Sequence, residues 1–300
     1  MTAPKLSICI LTLQARGFLE GCLHAIYENP PDESYEIIIV DNHSTDGTVE
    51  MLRTQFPEVQ LILNPKNLGF TVPMNQALRQ GCGQYLLLLN PDTIVHHQAL
   101  NRMIAFMETC PQVGICGPKV LNTDGTLQEP CRRGESTPWA VISYFFRLHR
   151  IFPESKFFGG YSMSYMDEDE THEVAGVSGS CMMIRQDVID QIGYLDEAYF
   201  AYQEDADYCF QARKAGWKIF YYPEAQITHY GGQGGSHVEP YRSIIEWHRS
   251  YWLYYRKNLA GNYFFLINWI YYLAMLIKLG LALVTNSLRK EKSAGRQKPK

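Results

Sequence analysis

The chain has 300 residues, 46% of them hydrophobic, enough for a real core in one large domain or two small ones. Its 27 basic residues stand against 31 acidic ones, a net charge of −4, which argues against a protein that neutralises a nucleic-acid backbone. Eight cysteines are scattered without a Cys-x-x-Cys pair, and no long apolar signal opens the chain; reduced, buried thiols in a cytosolic protein are expected, with neither disulfide nor zinc site.

A short β-rich run at 6–13 is followed by a helix at 18–27. The run YEIIIVD at 35–41 is continuous, branched and bounded by turn residues 42–47, so it reads as a buried strand. A helix at 48–55 and a strand at 59–63 follow. Asn67-Leu68-Gly69 then leads into a helix at 71–80, a strand at 85–89 and a helix at 98–110. Uninterrupted apolar strands alternating with helices predict an α/β fold with a mainly parallel sheet covered on both faces. Asn122-Thr123-Asp124-Gly125 is a hairpin-type turn. Residues 131–171 lack periodicity and read as a loop or as a variable, adaptable flap over an acceptor, with the acidic run 167–170 solvated. Regular structure resumes with a strand at 177–185 and a helix at 186–192. A further helix at 204–215 is stopped by Gly216. Short strands at 218–222 and 227–229, a glycine-rich loop at 231–236 and a helix at 239–258 complete the first unit, 1–258.

The second unit, 259–300, is an apolar stretch with a basic tail. Residues 263–284 are interrupted only by Asn268 and Lys278, and as a helix would be about 33 Å long, near the hydrocarbon thickness of a bilayer. Arg249, Arg256 and Lys257 precede it; Arg289, Lys290, Lys292, Arg296, Lys298 and Lys300 follow it. A spanning helix would put one basic cluster on the wrong face, whereas an in-plane or re-entrant helix keeps both on the anionic cytoplasmic leaflet. In-plane attachment is the leading expectation; a spanning helix and a soluble packing or dimer helix stay open.

Polar groups gather at the ends of the apolar runs, which is where open α/β sheets bind ligands. Asn90-Pro91-Asp92 follows four leucines; Asp92 can hold a hard divalent cation, though Asn-Pro-Asp is also ordinary turn chemistry. Asp41 closes a strand and can accept from a base N–H, or serve an Asx-turn, a task for which Ser44, Thr45 and Asp46 are better placed. Glu204, Asp205 and Asp207 open a helix. Acids there favour the dipole, but three exceed that need, and the dipole keeps a carboxylate ionised, as a general base should be. His229 ends a strand before the glycine-rich loop and is either structural or a metal ligand. That loop matches neither G-x-G-x-x-G nor a Walker loop.

VDNHSTDGT (40–48), NPKNLGF (64–70) with Asn75, LLLLNPDT (86–93), VSGSCMMIR (177–185), YFAYQEDADYCFQARKAGW (199–217) and HYGGQGGS (229–236) together resemble glycosyltransferase family 2. These are inverting enzymes with a GT-A fold, and the likeness is greatest to bacterial rhamnosyltransferase-type members, over about residues 5–258. The resemblance implies that Asp41 contacts the donor nucleobase, that Asn67, Gly69 and Asn75 line the donor pocket, and that Arg249 meets the diphosphate. It implies that Asp92 and His229 bind Mg²⁺ or Mn²⁺, with Asn90 replacing the first acid of D-x-D, and that Asp205, beside Glu204, is the base. The implied reaction moves rhamnose or a similar sugar from a dTDP- or UDP-sugar to a glycan or lipid-linked acceptor. It takes place at the inner face of the cell membrane, in cell-surface polysaccharide synthesis. Three positions depart from the family pattern: Gln14, Asn90, and Gly176 where many relatives carry Trp on the acceptor side. Two other classes are a non-catalytic nucleotide-sugar-binding scaffold and a dinucleotide-dependent oxidoreductase, the latter lacking its glycine fingerprint.

Overall fold

A computed structural model describes residues 3–233 and 238–289. Gly234, Gly235 and Ser236 of the glycine-rich loop and the basic residues Lys290, Lys292, Arg296, Lys298 and Lys300 lie outside them. Strands β1 (Leu6–Thr12) and β4 (Tyr85–Leu89) are buried along their whole length. A strand with no polar face must lie inside a covered sheet. β1 sits between β2 (Tyr35–Asp41) and β4, with β3 (Gln60–Leu63) outside β2, all four parallel. Helices α1 (Arg16–Glu28), α2 (Thr48–Gln55) and α3 (Thr71–Gln80) connect them. Each lays an apolar stripe on the core: α1 buries Leu19, Leu23 and Ile26, and α3 buries Met74, Ala77 and Leu78. Each fully buried leucine or isoleucine contributes about 1.5–3 kcal/mol.

The chain then runs through β5 (Thr93–Val95), α4 (Ala99–Thr109) and β6 (Val113–Leu121). It returns later as β10 (Cys181–Arg185), α8 (Gln186–Ile192), α9 (Glu204–Lys214) and β11 (Lys218–His229). The sheet order is β3-β2-β1-β4-β10-β6-β11-β5, with β10 antiparallel to both neighbours and β5 antiparallel to β11. The register assembles the polar ends. Thr12 pairs with Asp41, Ile10 and Cys181 both pair with Leu89, and His229 pairs with Thr93. Asn90, Asp92, Ser180 and His229 therefore meet at one edge of the sheet.

Strand β6, to which no element was assigned from the sequence, carries Gly114, Gly117 and Pro118, yet eight of its nine residues are buried. Three segments differ from the sequence expectation. The expected strand at 177–185 is broken: Gly176–Val177 (β9) pairs with Arg132–Arg133 (β7), and Ser178-Gly179-Ser180 separates it from β10. The two strands expected at 218–229 are one, β11, with a register shift between Tyr222 and Gln226. Residues 131–171 are not aperiodic coil. After β7 they form α5 (Pro138–Phe145), α6 (Leu148–Ile151) and α7 (Lys156–Gly159), with Thr137 capping α5 through a bond from Ala140 N (3.3 Å); β8 (His172–Glu173) follows. The acidic run is exposed but tethered, because Lys119 Nζ donates to Glu168 (3.0 Å) and Asp169 (2.6 Å).

Helix α10 (Pro240–Tyr254) passes through a π turn into α11 (Phe265–Leu288). Within α11 the polar interruptions face the protein: Asn268 Oδ1 accepts from Tyr255 OH (2.5 Å), and Lys278 Nζ lies 3.6 Å from the Trp247 ring and 4.2 Å from Phe145. The rest is bare. At 24 residues and mean hydropathy 1.7 it is long and apolar enough to cross a bilayer, and only 6% of its most apolar window is buried.

Candidate active site

A cleft of about 780 Å³ opens along the polar edge of the sheet, walled by the ends of β4, β10 and β11, the start of α9, the 67–70 loop and α10. One corner holds Asp92, Asn90 and His229. His229 Nε2 is 3.1 Å from Asp92 Oδ1 and 3.2 Å from Asn90 Nδ2. Its other nitrogen, Nδ1, lies 2.7 Å from Gln128 Oε1, an acceptor that holds a proton on Nδ1 and leaves Nε2 as the nitrogen that meets Asp92 as a donor or, without its proton, a cation as a ligand. Asp92 Oδ2 accepts from Gln233 N (3.2 Å). Burial works to raise the Asp92 pKa, but the His229 bond and charge and the Gln233 N–H outweigh it, so Asp92 stays below the usual carboxylate range. Among the described residues no three His, Cys, Asp or Glu side chains converge. Two converging donors, one carboxylate and one oriented imidazole, fit an ion such as Mg²⁺ or Mn²⁺ whose shell is completed by phosphate oxygens and water.

A second corner holds the acids of α9. Two residues before it, Tyr202 (φ 69°) and Gln203 (φ 64°), adopt left-handed backbone, a strain of order 1 kcal/mol each that turns Glu204 and Asp205 into the cleft. Asp205 Oδ2 accepts from Arg133 Nη2 (2.6 Å) and from Gly179 N (2.8 Å). A Cβ on Gly179 would stand 3.3 Å from Asp205 Cβ, so this backbone approach suits glycine. Arg133 and Asp205 are both buried, and Asp205 holds the guanidinium charged against burial. Glu204 differs. Its Oε2 is buried without a partner, and burial first, then the Asp205 charge, push its pKa up to about 8. The helix dipole, worth about 0.3–1 kcal/mol, was expected to keep such a carboxylate ionised; here desolvation wins.

That shift has a measurable consequence. In the unfolded chain Glu204 loses its proton near 4.5, in the folded one near 8. Between these values the folded state holds the extra proton, so stability falls as pH rises, by up to about 1.4 kcal/mol per unit. Glu204→Gln should therefore gain melting temperature relative to wild type on going from pH 5 to pH 8. An unchanged difference at the two values would refute the assignment.

The 67–70 loop is built around Asn42, which the sequence reading passed over for its neighbour. Asn42 Nδ2 donates to Asn67 Oδ1 (2.9 Å) and Gly69 O (2.8 Å), and its Oδ1 accepts from Leu68 N (3.0 Å). Gly69 has φ +87°, and a Cβ there would lie 2.3 Å from Phe200 O, so only glycine lets the loop dock on the segment leading to α9.

A sequence profile described as Glycosyl transferase family 2 matches residues 7–193. The chain belongs to this family, and is a glycosyltransferase. It is 25% identical over 240 residues to N-acetylglucosaminyl-diphospho-decaprenol L-rhamnosyltransferase of Mycobacterium tuberculosis, covering 75% of this chain and 76% of that protein. The fold is that of GT-A enzymes. The mannosyltransferase PcManGT from Pyrobaculum calidifontis, in complex with GDP-Man and Mn²⁺, superposes with a TM-score of 0.56 at 17% identity, covering 99% of this chain and 77% of the other. GalNAc-T7 with UDP, GalNAc and Mn²⁺ gives 0.56 at 14% identity over 76% and 44%.

Of the residues expected at the glycosyltransferase site, Asn67, Gly69, Asn90, Asp92, Glu204, Asp205 and His229 line the cleft. Asp41, Asn75 and Arg249 do not. Asp41 Oδ2 accepts from His43 N and Ser44 N, the Asx-turn role expected of its neighbours, although its Oδ1 is buried without a partner. Asn75 supports rather than lines, bonding Leu195 O (2.8 Å) and Leu195 N (3.1 Å). Arg249 donates to Ala198 O (3.0 Å) and Glu246 (3.2 Å). On α10 the cleft stripe is Ser243, Trp247 and Tyr251, four apart; Arg249 sits two places off it, on another face, whereas Arg242 lies on the cleft. Arg133, Asn42 and Gln128 were missed. Arg133 carries one weak sequence signal, an arginine pair set between Cys131 and Gly134.

Proposed function

We propose that this glycosyltransferase moves rhamnose or a similar sugar from a dTDP- or UDP-sugar to a lipid-linked glycan acceptor, with inversion, in cell-surface polysaccharide synthesis at the inner face of the membrane. The observation that carries the reading is one cleft holding both an Asp92–His229 corner suited to a divalent cation and a Glu204–Asp205 pair suited to proton transfer. The mycobacterial relative favours the sugar and the lipid-linked acceptor.

Bound Mg²⁺ or Mn²⁺ would neutralise the departing nucleoside diphosphate. Asp92 and His229 would hold it, with Gln128 fixing the imidazole. Arg242, on the cleft wall, supplies a positive charge near the phosphates in place of Arg249. The Asn42–Asn67–Gly69 loop shapes the nucleoside end. Asp205, oriented by Arg133 and Gly179, takes the acceptor hydroxyl proton as the acceptor oxygen bonds to the anomeric carbon and the bond to the diphosphate oxygen breaks.

Melting the purified protein with dTDP, UDP, GDP or NAD, each with Mn²⁺ or EDTA, tests this. One pyrimidine diphosphate should raise the melting temperature only with metal, by the equivalent of about 2.7 kcal/mol at a hundredfold excess over Kd. A shift with NAD alone, or with no diphosphate, would overturn it.

A further inference from the structure

We propose that α5–α7 forms a second lipid-contact patch continuous with α11, which seats the bilayer against the rim of the cleft. Its purpose rests on the lipid-linked acceptor of the preceding section; its geometry does not. Phe146 (72% exposed), Ile151 (65%) and Phe157 (63%) project outward, with Phe152, Ile142 and Trp139 beside them. Such a concentration of large apolar side chains on one short segment marks an interaction surface. Two polar groups within it are bonded inside the segment. Trp139 Nε1 donates to Phe157 O (3.0 Å) and Ser143 Oγ to Phe158 O (2.5 Å), so these groups need no water outside.

The occupant is a bilayer for three reasons. The patch adjoins α11: Lys278 lies against Phe145 of α5 as well as Trp247 of α10. A helix of bilayer length and a hairpin more than a hundred residues away in sequence thus expose apolar side chains side by side. Between residues 146 and 157 the chain carries Arg147, Arg150 and Lys156 against the single acid Glu154, the sign that favours anionic headgroups. Tyr144, on α5 itself, lines the cleft. A headgroup-linked substrate held at this surface is therefore delivered beside Trp247 and Tyr251 of the cleft wall.

The test uses the full chain with the accessible thiols removed (Cys82→Ser, Cys110→Ser) and an environment-sensitive nitrobenzoxadiazole label on Phe146→Cys, Phe157→Cys or, as control, the exposed Arg53→Cys. With phosphatidylglycerol–phosphatidylethanolamine vesicles, the first two labels should shift to the blue and lose emission to acyl-chain doxyl lipid, and the third should not. All three behaving alike would overturn the proposal. So would a blue shift without lipid accompanied by a doubled mass in light scattering, which assigns the patch to a second copy. Phe146→Glu/Ile151→Glu/Phe157→Glu should lower transfer to vesicle-borne acceptor about tenfold or more while keeping the nucleotide-dependent melting shift. Unchanged transfer would refute the role of the patch. Loss of the melting shift in wild type would instead refute the functional reading and leave the label result standing.

Discussion

Asp205→Asn lowers kcat by about 10²–10⁴-fold, the range for losing a general base, while the metal-dependent nucleotide melting shift survives. The asparagine keeps the shape of the aspartate, and its amide oxygen can still accept from Gly179 N. It cannot take a proton from the acceptor. The difficulty is that Asp205 also neutralises Arg133, 2.6 Å away and buried. Removing one partner of a buried ion pair costs about 3–5 kcal/mol, so the variant should also melt lower, and lost activity could be mistaken for lost fold. Two further variants separate these effects. Arg133→Met alone leaves the carboxylate present but unclamped, and should lower kcat less than Asp205→Asn while also destabilising. Arg133→Met/Asp205→Asn removes both charges, so much of the stability should return, as it does when buried pairs are replaced together. Turnover should stay as low as in Asp205→Asn. Recovery of transfer in the double variant would show that Asp205 serves only to neutralise Arg133, and would shift the base role to Glu204, whose Oε2 lacks any partner in the cleft wall.

The same ion pair shows which parts of the site were readable in advance. Asn90, Asp92 and His229 were legible because each ends an uninterrupted apolar strand, and a buried strand must deliver its last residue to the edge of the sheet. Glu204 and Asp205 were legible because three acids opening one helix exceed what a dipole asks for. Arg133 was not. It lies on a two-residue strand whose pairing to Gly176 and Val177 is set by tertiary packing, and its partner is 72 residues away. No periodicity reports a contact of that kind. The Asp41–Asn42 exchange has a local cause: at a strand end with alternating side chains, adjacent residues point to opposite faces, and one place decides which meets the ligand. Arg249 failed for the helical version of the same reason. The 131–171 segment hid its helices because α5–α7 are at most eight residues long and expose apolar side chains, so they lack the polar outer face that periodicity needs.

Asp92→Asn should abolish the difference between Mn²⁺ and EDTA in nucleotide melting and lower kcat by about 10²–10³-fold, the usual cost of removing a group that stabilises charge on a leaving oxygen. The side chain keeps its size and one oxygen, so Gln233 N retains an acceptor and the fold should hold. What disappears is, among the described residues, the only carboxylate in that corner: Asn90 already supplies an amide where many family members have an acid, and a second amide leaves His229 as the one strong donor among those residues. His229→Gln should then be milder than Asp92→Asn, because it removes a neutral ligand and leaves the charge. Gln128→Ala should be milder still, about 10–100-fold in apparent metal affinity with nucleotide affinity in EDTA unchanged, since Gln128 touches no metal and acts only by holding the proton on His229 Nδ1. The order Asp92, His229, Gln128 is the discriminating result. A purely structural corner would rank the three by their effect on melting without ligand. If Asp92→Asn instead keeps full Mn²⁺ dependence, the cation binds elsewhere, and the arrangement of Asn90, Asp92 and His229 is a turn held by its own hydrogen bonds.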